Sequence, residues 1–192
     1  MDSLYLPNFK HMQKRLLLNK KHLSITISRL CHQLIENHFL FENTVLIGLQ
    51  PKGVFFAERI KSKLEEIIKR PIELGYLDIT FYRDDFRRRD EPLTPNETKI
   101  PFIIEDKKVI LIDDVLYTGR SVKSAMDAMS AFGRPAKVEF LTLIDRIYSR
   151  DIPVEATYVG KQVNTVFSQK VLVELTEQGK KEDKIWLIDK SK

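Results

Sequence analysis

The sequence predicts an α/β fold: a doubly wound, parallel sheet flanked by helices. Three observations carry that reading. The runs TVLIGL (44–49) and VILI (109–112) are apolar at nearly every position, as in strands covered on both faces. Strand-like runs alternate along the chain with stretches whose apolar residues recur at helical spacing. Two acids, Asp113 and Asp114, end the second apolar run, at the carboxyl edge where open sheets of this class bind ligands.

In chain order, residues 1–15 mix Pro, Lys and apolar residues without a period and read as a loosely attached arm. Residues 16–192 read as one domain. LLL at 16–18 predicts a short strand, with Asn19 as a helix N-cap. Leu23, Ile27, Leu30 and Leu34 then mark a helix over 22–38. TVLIGL runs into the turn Gln50-Pro51-Lys52-Gly53, and Phe56, Ile60, Leu64 and Ile67 mark the next buried helical face. Residues 71–82 read as a long strand interrupted near Gly75. The stretch 83–101 is charged, carries Pro92, Pro95 and Pro101, and has no period. A loop of this length is either solvated and disordered or functional. Strands are expected at 137–145, 154–160, 170–175 and 184–189, with no internal repeat and no linker.

Composition narrows the class. A chain of 192 residues with 43% hydrophobic and 31% charged residues suits one globular domain. No apolar run reaches membrane-spanning length, so no membrane partner is expected. A single cysteine, Cys31, excludes an internal disulfide and fits a reducing cytoplasm. The net charge of +5 suits anionic partners, phosphorylated substrates or RNA, without selecting between them.

The stretch VILIDDVLYTGRS (109–121) holds the chemistry. After the acids, Tyr117-Thr118-Gly119-Arg120-Ser121 turns into a helix with apolar residues at Val122, Ala125, Met126, Met129 and Phe132. A small-residue turn at a helix N-terminus presents unpaired N–H groups and the positive end of the helix dipole to an anion. Neither G-x-x-x-x-G-K-[ST] nor G-x-G-x-x-G occurs. Two carboxylates beside such a cradle suit a sugar phosphate, with the acids on ribose hydroxyls or Mg²⁺.

VILIDDVLYTGRS resembles the phosphoribosyl-pyrophosphate (PRPP) signature of type I phosphoribosyltransferases. The form DDVLYTGR is most similar to the PyrR family of pyrimidine-operon attenuation regulators and uracil phosphoribosyltransferases. The resemblance covers roughly 16–189 and implies a parallel sheet flanked by helices with a small hood. It implies transfer of 5-phosphoribose from PRPP to a nucleobase, with Mg²⁺ as cofactor and a homodimer or higher homo-oligomer as assembly. Leu116, Tyr117, Thr118, Gly119, Arg120 and Ser121 would hold PRPP; Asp113 and Asp114 would serve catalysis and the metal. Pro51, Lys52 and Gly53 match the pyrophosphate turn, with Pro-Lys where the family usually has Thr-Arg. Lysine supplies a point charge rather than a fork.

Tyr82-Arg83-Asp84-Asp85 resembles the opening of the family's flexible loop. A closing basic loop would exclude water and neutralise the departing diphosphate, with Arg83, Arg87, Arg88 and Arg89 as candidates. Asp145-Arg146 looks like the family's Asp-Arg pair, but Gly-His-Arg-Glu-Leu-Pro is replaced by Ile147-Tyr148-Ser149-Arg150-Asp151-Ile152-Pro153. Arg146, Tyr158, Gly160 and Lys161 match the hood over the base. Purine-specific relatives have Asp where this chain has Tyr117, so the resemblance favours uracil, giving UMP. It also implies RNA as a second partner through Ser28, Arg29 and His32, a pattern weakened by Glu155 in place of an arginine. A UMP-sensing RNA-binding regulator with weak or no catalysis, and transfer to another base, stay open as alternatives.

Overall fold

The computed structural model of the protein describes residues 14–84, 95–166 and 168–189. The chain runs β1 (Lys14–Asn19), α1 (Lys20–His38), β2 (Thr44–Leu49), α2 (Gly53–Ile68), β3 (Leu74–Leu77), β4 (Lys108–Leu116), α3 (Arg120–Met129), β5 (Lys137–Ile147), β6 (Tyr158–Asn164), β7 (Gln169–Glu174) and β8 (Lys184–Asp189). Five strands form a parallel sheet in the order β3-β2-β4-β5-β6. The remaining three form a small antiparallel sheet, β1-β8-β7.

Alternation along the central strands explains the layers, since successive side chains point to opposite faces. Leu46, Ile110 and Ile112 pack with Leu23, Leu30 and Leu34 of α1, with Phe56, Ile60 and Leu64 of α2, and with the inner face of the small sheet. Val45, Ile47, Val109 and Leu111 pack on the other side with Val122, Ala125 and Met129 of α3. The sheet is thus covered on both faces, and the apolar runs of β2 and β4 follow from that. Asn19 caps α1 as expected, its Oδ1 accepting from the His22 N–H at 2.9 Å. Cys31 is buried, and the loss of water pushes its thiol up to about 12. Among the described residues no helix is long and apolar enough to cross a membrane.

Several boundaries differ from expectation. Lys14 and Arg15 belong to β1 rather than to an arm, and residues 1–13 lie outside the described residues. The strand expected over 71–82 is only Leu74–Leu77. It stops because Asp78 Oδ1 accepts from the Thr80 hydroxyl at 2.7 Å, turning the chain into a 3-10 turn at Thr80–Tyr82. Such local side-chain bonds compete with a sheet ladder. The strand expected at 154–160 is Tyr158–Asn164, because the preceding residues are tied elsewhere: the Asp151 and Ile152 N–H groups both donate to the Thr118 carbonyl, at 2.9 and 3.0 Å. Met126 and Phe132, read as inward, are 44% and 43% exposed, because α3 ends at Met129 and faces the sheet through Val122, Ala125 and Met129.

Candidate active site

Parallel strands deliver their carboxyl ends to one edge, and three turns meet there. Asp113 and Asp114 lie near the end of β4, with Asp113 paired in register with Thr142 of β5 and Leu116 with Asp145. The Asp114 N–H donates to Asp113 Oδ1 at 2.8 Å, which fixes the first carboxylate beside the second. Loss of solvent and the neighbouring charge of Asp114 push the Asp113 carboxyl well above the usual range, and Arg83 pulls it partly back. Burial raises Asp114 as well, opposed by Lys52. Two carboxyls crowded together out of water resist carrying two charges at once, and a bound cation would relieve that repulsion.

The turn after β2 reaches the same acids. A Cβ on Gly53 would stand 2.7 Å from the Ile112 carbonyl and 3.0 Å from Asp113 Oδ1, so only glycine lets α2 start this close to β4. Pro51 and Lys52 are exposed beside it, and the Gln50–Pro51 peptide is cis. On the other side, Gly119 adopts φ 88° at the N-cap of α3, a left-handed conformation that favours glycine. Thr118 and Ser121 are half-buried, and Arg120 is exposed. Arg120 pairs with Asp84 and, through Nε, with Asp151 at 3.0 Å. Arg83 Nη1 lies 3.4 Å from the Ser121 hydroxyl. Arg83 is thereby brought to the acid pair and the turn, whereas Arg87, Arg88 and Arg89 lie outside the described residues.

Next to this turn is a cleft of about 300 Å³ lined by Thr118, Arg146, Tyr148, Ser149, Arg150, Asp151, Thr165 and Val166. Arg146 is buried, its guanidinium centred 3.7 Å from the centroid of the Tyr117 ring, a cation–π arrangement. It also donates to the Thr165 hydroxyl at 3.0 Å and the Gln169 carbonyl at 2.9 Å. Arg150 gathers the surrounding backbone: it donates to the carbonyls of Tyr117, Arg146 and Val154 and pairs with Asp145. Sequence reasoning passed over Arg150 as part of an altered stretch; the signal was its spacing, four residues after Arg146 at a strand end.

Two expected groups lie away from the acid pair. Tyr158 sits at the amino end of β6, buried, with its hydroxyl 3.0 Å from Glu139 Oε2 and 3.1 Å from His38 Nε2. It pairs in register with Leu141, opposite Ile112, so it supports the core rather than a hood over the base. Arg29 Nη2 donates to the carbonyls of Val159 and Gly160, at 3.1 and 2.6 Å. That contact brings Ser28, Arg29 and exposed His32 of α1 beside Gly160 and exposed Lys161 of β6.

The donor set suits a hard divalent cation in one form only. Among the described residues no group of three or more His, Cys, Asp or Glu side chains could hold a metal. Asp113 and Asp114 supply hard oxygens from one side, matching Mg²⁺ bound by one or two carboxylates with the rest from substrate and water.

Comparison with known proteins agrees with this geometry. The phosphoribosyl transferase domain family matches residues 15–178. The bifunctional protein PyrR of Bacillus subtilis (strain 168) is 40% identical over 168 residues, which is 86% of this chain and 92% of that protein. The bifunctional protein PyrR of Bacillus cereus (strain AH820) is 38% identical over 181 residues, 93% of this chain and 99% of that protein. Among solved structures, HGPRT-ase from Leishmania tarentolae in complex with GMP superposes with TM-score 0.70 at 14% identity, over 92% of this chain and 97% of that one. A hypoxanthine phosphoribosyltransferase from Staphylococcus aureus does so with TM-score 0.62 at 22% identity, over 80% of each. These structural likenesses speak to the fold, while the match across residues 15–178 and the 38–40% identity speak to descent. The chain belongs to the type I phosphoribosyltransferases, in the company of the PyrR proteins.

Proposed function

We propose that the protein transfers 5-phosphoribose from PRPP to uracil, forming UMP and pyrophosphate, with Mg²⁺. One observation carries the reading: a carboxylate pair, a glycine-opened turn at a helix N-terminus and a cleft walled by Arg146 share one sheet edge. Backbone N–H groups from Tyr117 to Ser121 would take the 5-phosphate, since the Leu116 N–H already donates to the Thr142 hydroxyl at 3.1 Å, and Asp113 and Asp114 would take the ribose hydroxyls. Lys52, the turn Pro51–Gly53, Arg83 and Arg87 would take the diphosphate. Bound there, Mg²⁺ would supply charge neutralisation of the diphosphate. The N1–C1 bond forms as the C1–O bond to diphosphate breaks, and the proton that N1 gives up passes to the departing diphosphate. The residues lower the barrier by orientation and by placing positive charge where negative charge develops. Support for uracil comes from Tyr117, held against Arg146 where a purine-recognising carboxylate would otherwise stand.

The test is incubation with PRPP, Mg²⁺ and each of uracil, orotate, hypoxanthine and guanine. UMP and pyrophosphate are expected with uracil. Turnover with a different base alone would reassign the substrate, and pyrophosphate from none would overturn the activity. A second reading, a UMP-responsive RNA regulator, is favoured by the clustering of Arg29, His32 and Lys161 on one surface. Its check is a gel shift with a pyrimidine-operon leader RNA. A shift that strengthens with UMP is expected, and no UMP-dependent shift would leave the enzyme alone.

A further inference from the structure

The turn between β4 and α3 is held from behind by the stretch that follows β5. In a trans peptide the carbonyl and the N–H point in opposite directions, so a contact that fixes a carbonyl also aims the next residue's N–H. The Tyr117 carbonyl accepts from Arg150 Nη1, which aims the Thr118 N–H the other way. The Thr118 carbonyl accepts from the N–H groups of Asp151 and Ile152, at 2.9 and 3.0 Å, which does the same for the Gly119 N–H. Both N–H groups thus point away from residues 150–152. The first helical bond of α3 runs from the Lys123 N–H to the Gly119 carbonyl at 3.0 Å. The N–H groups of Arg120, Ser121 and Val122 therefore have no partner inside the helix.

The contact is close, and it occupies the whole arginine. A Cβ on Gly119 would stand 3.2 Å from both the Cβ and the carbonyl oxygen of Ile152, and Asp151 pairs with Arg120 Nε at 3.0 Å. Arg150 donates through Nε to the Val154 carbonyl at 3.0 Å and through Nη1 to the Arg146 carbonyl at 2.9 Å as well as to Tyr117. Its Nη2 pairs with buried Asp145. All three of its nitrogens already face protein oxygens, and a planar fork of this kind fixes the directions of the groups it binds. A turn ordered before its ligand arrives loses less freedom on binding. We propose that Arg150 is a positioning residue: with the N–H groups of Asp151 and Ile152, it clasps two successive carbonyls of the turn and so preforms the cradle for the 5-phosphate. The proposal rests on the sugar-phosphate reading of that turn.

The test compares two ligands by calorimetry. Ribose 5-phosphate carries the phosphate of the turn and no diphosphate; Mg²⁺-pyrophosphate carries the leaving group alone. Arg150→Met should weaken ribose 5-phosphate by about 10-fold or more and leave pyrophosphate affinity unchanged. Arg150→Lys keeps a charge beside Asp145 and gives the answer if Arg150→Met fails to fold. The same selective loss is expected there, because one ammonium lacks the fork that serves three carbonyls. No binding of ribose 5-phosphate by the parent, or equal binding by parent and variants, overturns the proposal. Loss of pyrophosphate binding, alone or to the same degree, also overturns it, since Arg150 would then serve the diphosphate or the site as a whole. A parent that shows the selective loss on substitution but releases no pyrophosphate with any base keeps the clasp and loses the transferase activity, so the two are told apart.

Discussion

A carboxyl group drawn out of water beside a second carboxyl holds its proton more tightly, and Asp113 shows what this does to stability. Its affinity for a proton is higher in the folded chain than in the unfolded one, through burial first and the charge of Asp114 second. The folded state therefore binds more protons than the unfolded state as pH rises from the ordinary aspartate value of about 3.9. Across that window stability falls with pH. Asp113→Asn keeps the oxygen that accepts the Asp114 N–H and removes the charge. We expect the variant to unfold at a higher temperature than the parent at pH 7, by a few degrees, on the order of 1 kcal/mol. The two melting curves should converge as pH drops below about 3.9. Turnover should fall by about 10²-fold. Equal melting temperatures at pH 7 would mean that the pair costs the fold nothing.

Among the elements, α2 ties the two sheets together. Its first residue, Gly53, touches β4, and six residues on, near the middle of the helix, half-buried Arg59 reaches the connection between β7 and β8. Arg59 pairs with Glu177, with Asp183 Oδ1 at 2.7 Å, and with the Thr176 hydroxyl at 3.1 Å. The arginine hydrogen bonds hold both carboxyls below their usual values. Groups with lowered folded values stabilise the fold above the ordinary carboxylate range and lose that contribution as pH falls. Arg59→Met should cost about 2 kcal/mol at pH 7, less than a fully buried pair because Glu177 is partly exposed. Its cost should shrink toward pH 3. Hydrogen exchange should accelerate in β7 and β8 before it changes in β4. Uniform acceleration through both sheets would show that the contact is not a local clamp.

At the scale of the whole molecule, the layered α/β architecture was legible because β2 and β4 are buried on both faces and had to read as unbroken apolar runs. The acid pair and the turn around Gly119 were legible for a related reason: a strand end followed by small residues and a helical period admits few geometries. Other features depended on contacts distant in sequence. Tyr158 carries no local mark of which end of β6 it occupies; its partner Glu139 is nineteen residues earlier and His38 is on another element. The short β3 depended on whether Asp78 would bond Thr80 or continue the ladder, a competition between nearly equal local options. Arg150 reads as an ordinary loop cation until the Tyr117 carbonyl is seen beside it.

Arg146 is one of the places where the two sheets are linked. One guanidinium rests on an aromatic ring at the phosphate turn and is fastened to Thr165 and to Gln169, where β7 begins. One wall of the cleft is therefore braced by the lesser of the two sheets, and a tilt of β7 travels through one side chain to the ring of Tyr117. Whatever steadies or loosens that outlying sheet sets how closely a planar ring can be gripped some distance away.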